Sequence, residues 1–198
     1  MKIPHLLGIR KFLLPPLKGA TLTKTSGPAQ ALFGAPPETP TGGIGRDLVS
    51  FLKEVPLFEG LAPGELKRLA RIVHERHYGD GEVIYEQGQP GTVSYIIRRG
   101  FVEIVRRKRD GEEVPLGMLE PPASFEELAA MGIEVVRWIS ARAHGPVSLV
   151  ALGRSDLDAL SRNFPVLANK IITKLAQIIA VRTQMLLETG YFNEESEK

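Results

Sequence analysis

A chain of 198 residues is long enough to bury the core of one domain and to carry extensions beyond it. Its 25 Lys and Arg residues nearly balance its 23 Asp and Glu residues, so the net charge indicates no general attraction to nucleic acid or to a membrane surface. The lack of cysteine excludes disulfides, cysteine-ligated metals and thiol nucleophiles, and no apolar run is long enough to span a bilayer. We therefore expect a soluble, cytoplasmic protein with no membrane span and no nucleic-acid partner.

Residues 1–45 are predicted to form an extended or disordered arm, because they are rich in Pro, Gly and Thr. The arm is basic up to its first acidic residue, Glu38, and Arg10 and Lys11 interrupt the apolar run that a secretory signal would need. A disordered leader and an organelle transit peptide both stay open. A third interpretation is that the arm docks in extended form on a protein partner or on a second subunit. The apolar residues that would make this contact are Leu6, Leu7, Ile9, Phe12, Leu13, Leu14 and Leu17.

Residues 46–190 have the pattern of one folded domain, with helices at both ends and strands between them. One helix is predicted from Arg46 onward, and a second has Pro63 in its first turn and continues to Tyr78. Asp110 and Gly111 lie between two β-rich runs, which is typical of a hairpin. Many short strands at this spacing favour a sandwich or jelly roll, with a short helical segment inside it. The predicted strands are Val83–Tyr85, Val93–Ile97, Phe101–Arg106, Val114–Met118, Trp138–Ala143 and Val147–Ala151, and the helical segment is Phe125–Ala130.

Two helices are predicted to close the domain, one capped by Ser155 and a longer one opened by Pro165. The apolar face of the longer helix is wider than packing on a sheet requires, which favours a homodimer; the alternative is that the whole face packs within one subunit. The predicted dimer residues are Ile171, Leu175, Ile178, Ile179 and Met185. Residues 191–198 form an acidic tail and add no helix-turn-helix pattern, so no DNA-binding role is predicted.

From Leu52 to Leu187 the chain resembles the cyclic nucleotide-binding domain of bacterial cyclic-AMP receptor-type regulators and kinase regulatory subunits. The resemblance rests on VPLFEGLAPGELKRLA, GEVIYEQG, YIIRRGFVEIV, FEEL and RWISARA, in this order along the chain. It implies a mainly β fold with helices (α+β), in which an eight-stranded jelly roll lies between N-terminal helices and a long C-terminal helix. In that family a short helix and an arginine hold the cyclic phosphate, and a glutamate accepts a hydrogen bond from the ribose hydroxyl.

The segment LEPPASFEEL matches the ligand cassette of the family at Leu119, Pro121, Phe125, Glu127 and Leu128. By resemblance, Glu127 would accept the ribose hydroxyl and Arg137 would bind the phosphate of cyclic AMP or cyclic GMP; no other cofactor is implied. A plainer role for Arg137 is an ion pair with Glu126 or Glu127. The ligand-binding residues of a working site would be Phe125, Glu126, Glu127, Leu128, Arg137 and Trp138.

The cassette departs from the family pattern at three positions that matter for a nucleotide. Pro122 and Glu126 replace two glycines, and Trp138 replaces a small residue that follows the arginine. At about 5 Å and an effective dielectric of ~20, the Glu126 carboxylate would repel a phosphate charge by roughly 3 kcal/mol. The indole of Trp138 could fill the space for the sugar phosphate. The departures predict a degenerate pocket in a regulatory or adaptor protein that works through protein contacts; the alternative is a cyclic nucleotide sensor that signals through its C-terminal helix.

No constellation of residues in the sequence indicates catalysis, so we predict that the protein is not an enzyme. His74 and His77 lie three apart on the predicted second helix, where a zinc motif of the HExxH type needs a four-residue step, so no metal is expected. The basic run from Arg106 to Arg109 is followed at once by acidic residues, which is typical of a solvated loop.

Overall fold

The computed structural model describes residues 44–132 and 135–188; the predicted docking residues of the arm and the acidic tail lie outside this range. The helices are α1 (Ile44–Glu54), α2 (Pro63–Leu69), α3 (Glu127–Ala130), α4 (Arg154–Asn163) and α5 (Pro165–Glu188), with a 3₁₀ turn at Pro56–Phe58. The strands are β1 (His74–Tyr78), β2 (Val83–Tyr85), β3 (Pro90–Gly91), β4 (Val93–Arg107), β5 (Glu113–Leu119), β6 (Ser124–Phe125), β7 (Val135–Val136) and β8 (Ser140–Gly153).

Two long strands, β4 and β8, form the backbone of an antiparallel jelly roll. They pair along most of their lengths, from Val93 opposite Gly153 to Val105 opposite Ser140. Strands β1 and β2 add to β8, strands β5 and β6 add to β4, and β3 and β7 form a separate two-stranded sheet. This arrangement, with helices before it and a long helix after it, confirms the predicted fold class.

The predicted strand pairs Val93–Ile97 with Phe101–Arg106, and Trp138–Ala143 with Val147–Ala151, each merge into one bent strand. The pairing of β4 with β8 shifts register on both sides of Arg99. Gly100 has φ +80°, and a Cβ atom there would lie 2.4 Å from the carbonyl oxygen of Pro146. Only glycine allows this bend, and the bend makes one strand look like two in the sequence.

The second predicted helix is too long, because α2 ends at Leu69 and the stretch His74–Tyr78 is strand β1. Each residue of β1 pairs with a residue of β8, from His74 opposite Ala151 to Tyr78 opposite Val147. The apolar residues of α2 keep helical spacing as far as Val73, and the residues after it form a strand because they pair with the distant strand β8. The side chain of His74 lies 3.4 Å from Asp156, and the described residues contain no group of His and acidic side chains arranged to hold a metal ion.

Two local signals give different contacts from those predicted. Helix α4 begins after Gly153, whose N–H donates to the carboxylate of Asp156 over 2.8 Å, so Ser155 is not its cap. The hairpin at Asp110 and Gly111 is present, but it is a longer loop closed by the N–H of Lys108 donating to the carbonyl of Glu112. Gly111 adopts φ +89°, which is the conformation expected at such a turn.

The buried apolar residues form two clusters, one under the helices and one inside the jelly roll. In the helical cluster α5 packs on α4 and on the 3₁₀ turn, and Ile171, Leu175 and Ile178 are buried there by this chain alone. Their burial corrects their predicted place in a dimer seam. Ile179 and Met185 stay partly exposed, so a dimer contact on this helix, which remains a prediction, would use their side. The second cluster lies around Tyr85, Tyr95 and Phe125.

Candidate ligand-binding site

The cassette predicted from the sequence lies beside the inner face of the jelly roll, where β6 leads into the short helix α3. Strand β6 pairs with β4, and the Phe125 ring stacks on the Tyr95 ring with 5.3 Å between their centroids. The chain then turns at Glu126, which has φ +63° and ψ +36°. A left-handed conformation costs a non-glycine residue roughly 1–2 kcal/mol, and the cassette pattern that the sequence resembles has glycine at this position. The fold therefore keeps the backbone shape of a glycine at a position where the side chain is now a carboxylate.

Arg137 is buried, with only 8% of its surface exposed, and it faces the same place from the other side. Its guanidinium lies over the Tyr85 ring, 4.0 Å from the centroid, and its Nε lies 3.6 Å from a carboxylate oxygen of Glu126. Backbone hydrogen bonds hold Arg137 at both sides, since its N–H donates to the carbonyl of Gln89 and its carbonyl accepts from the N–H of Gly88. Of the alternatives predicted for Arg137, the structure shows an ion pair with Glu126.

Gly91 makes room for this pair. A Cβ atom on Gly91 would lie 3.1 Å from Arg137 Nε and 3.4 Å from the Glu126 carboxylate. These distances are tighter than ordinary van der Waals contacts, so a larger residue would push on the pair. The Arg137 Nε and the Tyr85 hydroxyl are both buried with no hydrogen-bond partner among the described residues. The cluster can therefore still donate hydrogen bonds, although the charges of Arg137 and Glu126 balance each other.

Burial sets the ionisation of the two acidic groups in this cluster. It raises the pKa of the Glu126 carboxyl group; Tyr85 and Arg137 oppose that shift, and the nearby Glu127 adds to it. Burial also raises the pKa of Tyr85 well above its usual value, and the Glu126 carboxylate raises it further. Because the folded-state pKa of Glu126 is raised, this group favours the folded state at acid pH, and its contribution is lost as the pH rises through that pKa.

Glu127, the predicted ribose acceptor, is only 4% exposed, and this chain supplies its partners. Its carboxylate accepts a hydrogen bond from Ser124 Oγ over 2.6 Å and one from Arg182 Nη1 over 2.5 Å. Arg182 also donates through Nη2 to the backbone carbonyl of Ser124 over 2.6 Å. The cassette is therefore bound directly to α5. Sequence reasoning missed Arg182, whose one signal is a basic residue between the apolar runs IIAV and MLL.

The structure brings together four of the six predicted ligand residues: Phe125, Glu126, Glu127 and Arg137. The other two face outward, because Leu128 is 39% exposed and Trp138 is 70% exposed. The expectation that the Trp138 indole fills the pocket is wrong; the Tyr85 ring and the Glu126 carboxylate lie against Arg137 instead.

No helix within residues 44–132 and 135–188 has both the length and the apolar character needed to cross a bilayer.

Comparison with known proteins gives one consistent family. The cyclic nucleotide-binding domain family matches residues 75–164. The chain is 35% identical over 126 residues to the cyclic AMP receptor protein of Thermus thermophilus, covering 64% of this chain and 58% of that protein. It is 34% identical over 111 residues to the cAMP-dependent protein kinase regulatory subunit of Blastocladiella emersonii, covering 56% of this chain and 27% of that one. The match thus spans less than two thirds of each relative.

A solved structure shows the same fold. The cyclic nucleotide-binding domain from Methylobacillus flagellatus KT superposes with a TM-score of 0.62 at 21% identity, covering 73% of this chain and 79% of that structure. At this identity the likeness shows the fold alone. The fold predicted from the ordered motifs is therefore present in a domain of known structure.

Proposed function

We propose that this chain, whose residues 75–164 belong to the cyclic nucleotide-binding domain family, is a non-catalytic regulatory protein that acts through protein contacts. One observation carries the proposal. Both residues that the family assigns to the ligand are engaged by charges of this chain, Arg137 by Glu126 and Glu127 by Arg182. Side chains of this chain therefore balance the charges of the pocket, and the domain needs no ligand to balance them.

A cyclic nucleotide would have to compete with both internal pairs. Its phosphate would meet the Glu126 carboxylate beside the guanidinium, and a ribose hydroxyl would have to replace Arg182 at Glu127. A hydrogen bond to a carboxylate from a guanidinium is stronger than one from a neutral hydroxyl, because both of its partners are charged. Replacing Arg182 by a ribose hydroxyl at Glu127 is therefore unfavourable in free energy, and the Glu126 carboxylate repels the phosphate at the other end of the ligand.

Titration calorimetry of the full chain with cyclic AMP and with cyclic GMP at neutral pH tests the closed pocket. We expect no saturable heat at micromolar ligand, and the same trace from an Arg137→Ala variant. Micromolar binding that the Arg137→Ala variant loses would overturn the proposal.

The protein contact is proposed to involve the apolar residues of the arm between Leu6 and Leu17. A variant that lacks Met1–Thr41 should keep the melting temperature of the domain, because α1 begins at Ile44. It should lose association, measured by sedimentation velocity for self-association and by quantitative cross-linking for a partner. A variant with Lys2, Lys18 and Lys24 changed to Gln is the matched control, since it keeps the apolar residues. Equal association of the full chain and the shortened chain would remove the arm from the proposal.

A second candidate function is a cyclic nucleotide sensor, and the contact of Arg182 with the cassette favours it. A ligand hydroxyl at Glu127 would release Arg182 and so free the last turns of α5. The names of the Thermus and Blastocladiella relatives make cyclic AMP the first ligand to test. Binding that raises hydrogen exchange in α5 beyond Arg182 would support this candidate over the first.

A further inference from the structure

Tyr85, Glu126 and Arg137 form a buried charge cluster in the described part of the chain. The proposed function explains why this cluster is closed to a ligand but not what would open it. The Glu126 side chain is 14% exposed and the Arg137 side chain is 7% exposed, so water screens the pair poorly. Glu126 also keeps a left-handed backbone, which turns its carboxylate toward Arg137 instead of toward solvent.

The pair is also incompletely bonded. The Glu126 oxygen lies 3.6 Å from Arg137 Nε, beyond hydrogen-bond distance, and that Nε has no hydrogen-bond partner in the described chain. The Tyr85 hydroxyl is buried as well; it lies close enough to the Glu126 carboxylate to lower the pKa of that group, but not in the geometry of a full hydrogen bond. The guanidinium edge and the phenol are both donors, and a small oxyanion can accept from both. Gly91 lets the backbone of β3 approach the pair closely, since a Cβ atom there would lie only 3.1 Å from Arg137 Nε.

We propose that Glu126 is the specificity-determining residue of this site: its carboxylate stands in for the anion of a ligand, and a small oxyanion binds at Arg137 only when Glu126 takes up a proton. This proposal rests on the closed pocket of the proposed function, and protonation of Glu126 is the event that would open that pocket. The ligand chemistry is a phosphate or sulfate oxyanion, either free or as part of a cyclic nucleotide. One proton enters from solvent for each anion bound and neutralises Glu126. Arg137 then balances the single charge of a cyclic phosphate, whereas a sulfate dianion keeps one further negative charge.

The groups that face Glu126 agree with this assignment. Arg137 is its cationic neighbour, Tyr85 lies against Arg137 from β2, and Glu127 follows it on α3. Glu127 is itself held by Ser124 and Arg182, so its negative charge is compensated elsewhere. The raised pKa of Glu126 brings its protonation closer to neutral pH. Because only the protonated form binds, affinity should fall about tenfold per pH unit above that pKa.

The test is titration of the full chain with sulfate and, separately, with cyclic AMP at about pH 5 and about pH 8, where neither anion changes charge. The wild type should bind more tightly at the lower pH, and calorimetry in buffers of different ionisation enthalpy should show uptake of about one proton. Glu126→Gln should bind about a hundredfold more tightly than the wild type at the higher pH and should lose most of the pH dependence. Glu120→Gln, which changes an exposed carboxylate near the start of the cassette that makes no contact with Arg137 among the described residues, should behave as the wild type.

Each outcome decides between the two proposals. Binding of sulfate but not of cyclic AMP identifies a free oxyanion as the ligand, and binding of both identifies the shared phosphate chemistry. If Glu126→Gln is folded by circular dichroism and neither it nor the wild type binds either anion at either pH, the proton-linked site is wrong and the closed pocket stands. If the wild type binds equally well at both pH values and Glu126→Gln does not improve binding, both are wrong. If Glu127→Gln removes the pH dependence and Glu126→Gln does not, the assignment to Glu126 is wrong.

Discussion

Replacing Leu175 with Ala should lower the free energy of unfolding by about 3–4 kcal/mol, and the loss should not depend on protein concentration. Leu175 is fully buried in the helical cluster, where α5 packs on the other helices of this chain. The substitution leaves a cavity that the packed neighbours fill only in part. Urea unfolding followed by circular dichroism, at protein concentrations about a hundredfold apart, measures both quantities.

Ile179→Ala is the matched control on the same helix, because Ile179 is only partly buried. It should cost about 1 kcal/mol at every protein concentration if the helix faces solvent there. If that side forms a dimer, the cost should be larger at high protein concentration and should shrink on dilution, where both proteins are monomeric. A small loss for Leu175→Ala, or a loss that disappears on dilution, would place Leu175 between subunits after all.

Arg182→Ala should cost about 3 kcal/mol, because it leaves the buried carboxylate of Glu127 without its cation. Only Ser124 would still donate to that carboxylate from a side chain among the described contacts. The double variant Glu127→Gln, Arg182→Ala should recover part of the loss, since it removes both charges. Chemical denaturation of the wild type, both single variants and the double variant gives the coupling energy.

Lys174→Ala is the control for this cycle. Lys174 lies two turns earlier on the same helix and pairs with Glu59, whose side chain is 61% exposed. A pair of this kind contributes at most about 1 kcal/mol, so its loss should be small. Additive effects of the Glu127 and Arg182 substitutions would mean that the two residues do not stabilise each other, and the link between cassette and helix would have to be abandoned.

Local patterns predicted the fold because the motifs lie in the order that the jelly roll requires. The β-rich runs around Tyr95 and Leu149 are strands, and Pro63 and Pro165 open helices as expected. The stretch His74–Tyr78 was assigned to a helix because its pairing partner lies some seventy residues away in β8, and nothing local announces that strand pair. The left-handed turn at Glu126 was not predicted, although the resemblance places a glycine of the family pattern at this position.

The site was predicted in its residues but not in its contacts. The resemblance to the family cassette placed Phe125, Glu127 and Arg137 in one site, whereas Arg182 joins Glu127 across 55 positions of the chain. The direction of Trp138 could have been predicted, because exposure alternates from Val136 through Arg137 to Trp138 and an inward arginine turns its neighbour outward. Which carboxylate pairs with which arginine depends on distances that spacing alone does not give.

Helix α5 is held in two different ways along its length. Ile171, Leu175 and Ile178 hold it by burial as far as Ile178, and Arg182 holds the turns after that through directed hydrogen bonds to the cassette. Energetic linkage between two places is reciprocal. A protein that binds the surface of α5 and takes Arg182 out of its hydrogen bonds would weaken the hold on Ser124 and Glu127. The free energy of this effect equals that by which a molecule bound at Glu127 would weaken the hold on α5. The same hydrogen bonds can therefore couple the cassette to the helix and the helix to the cassette.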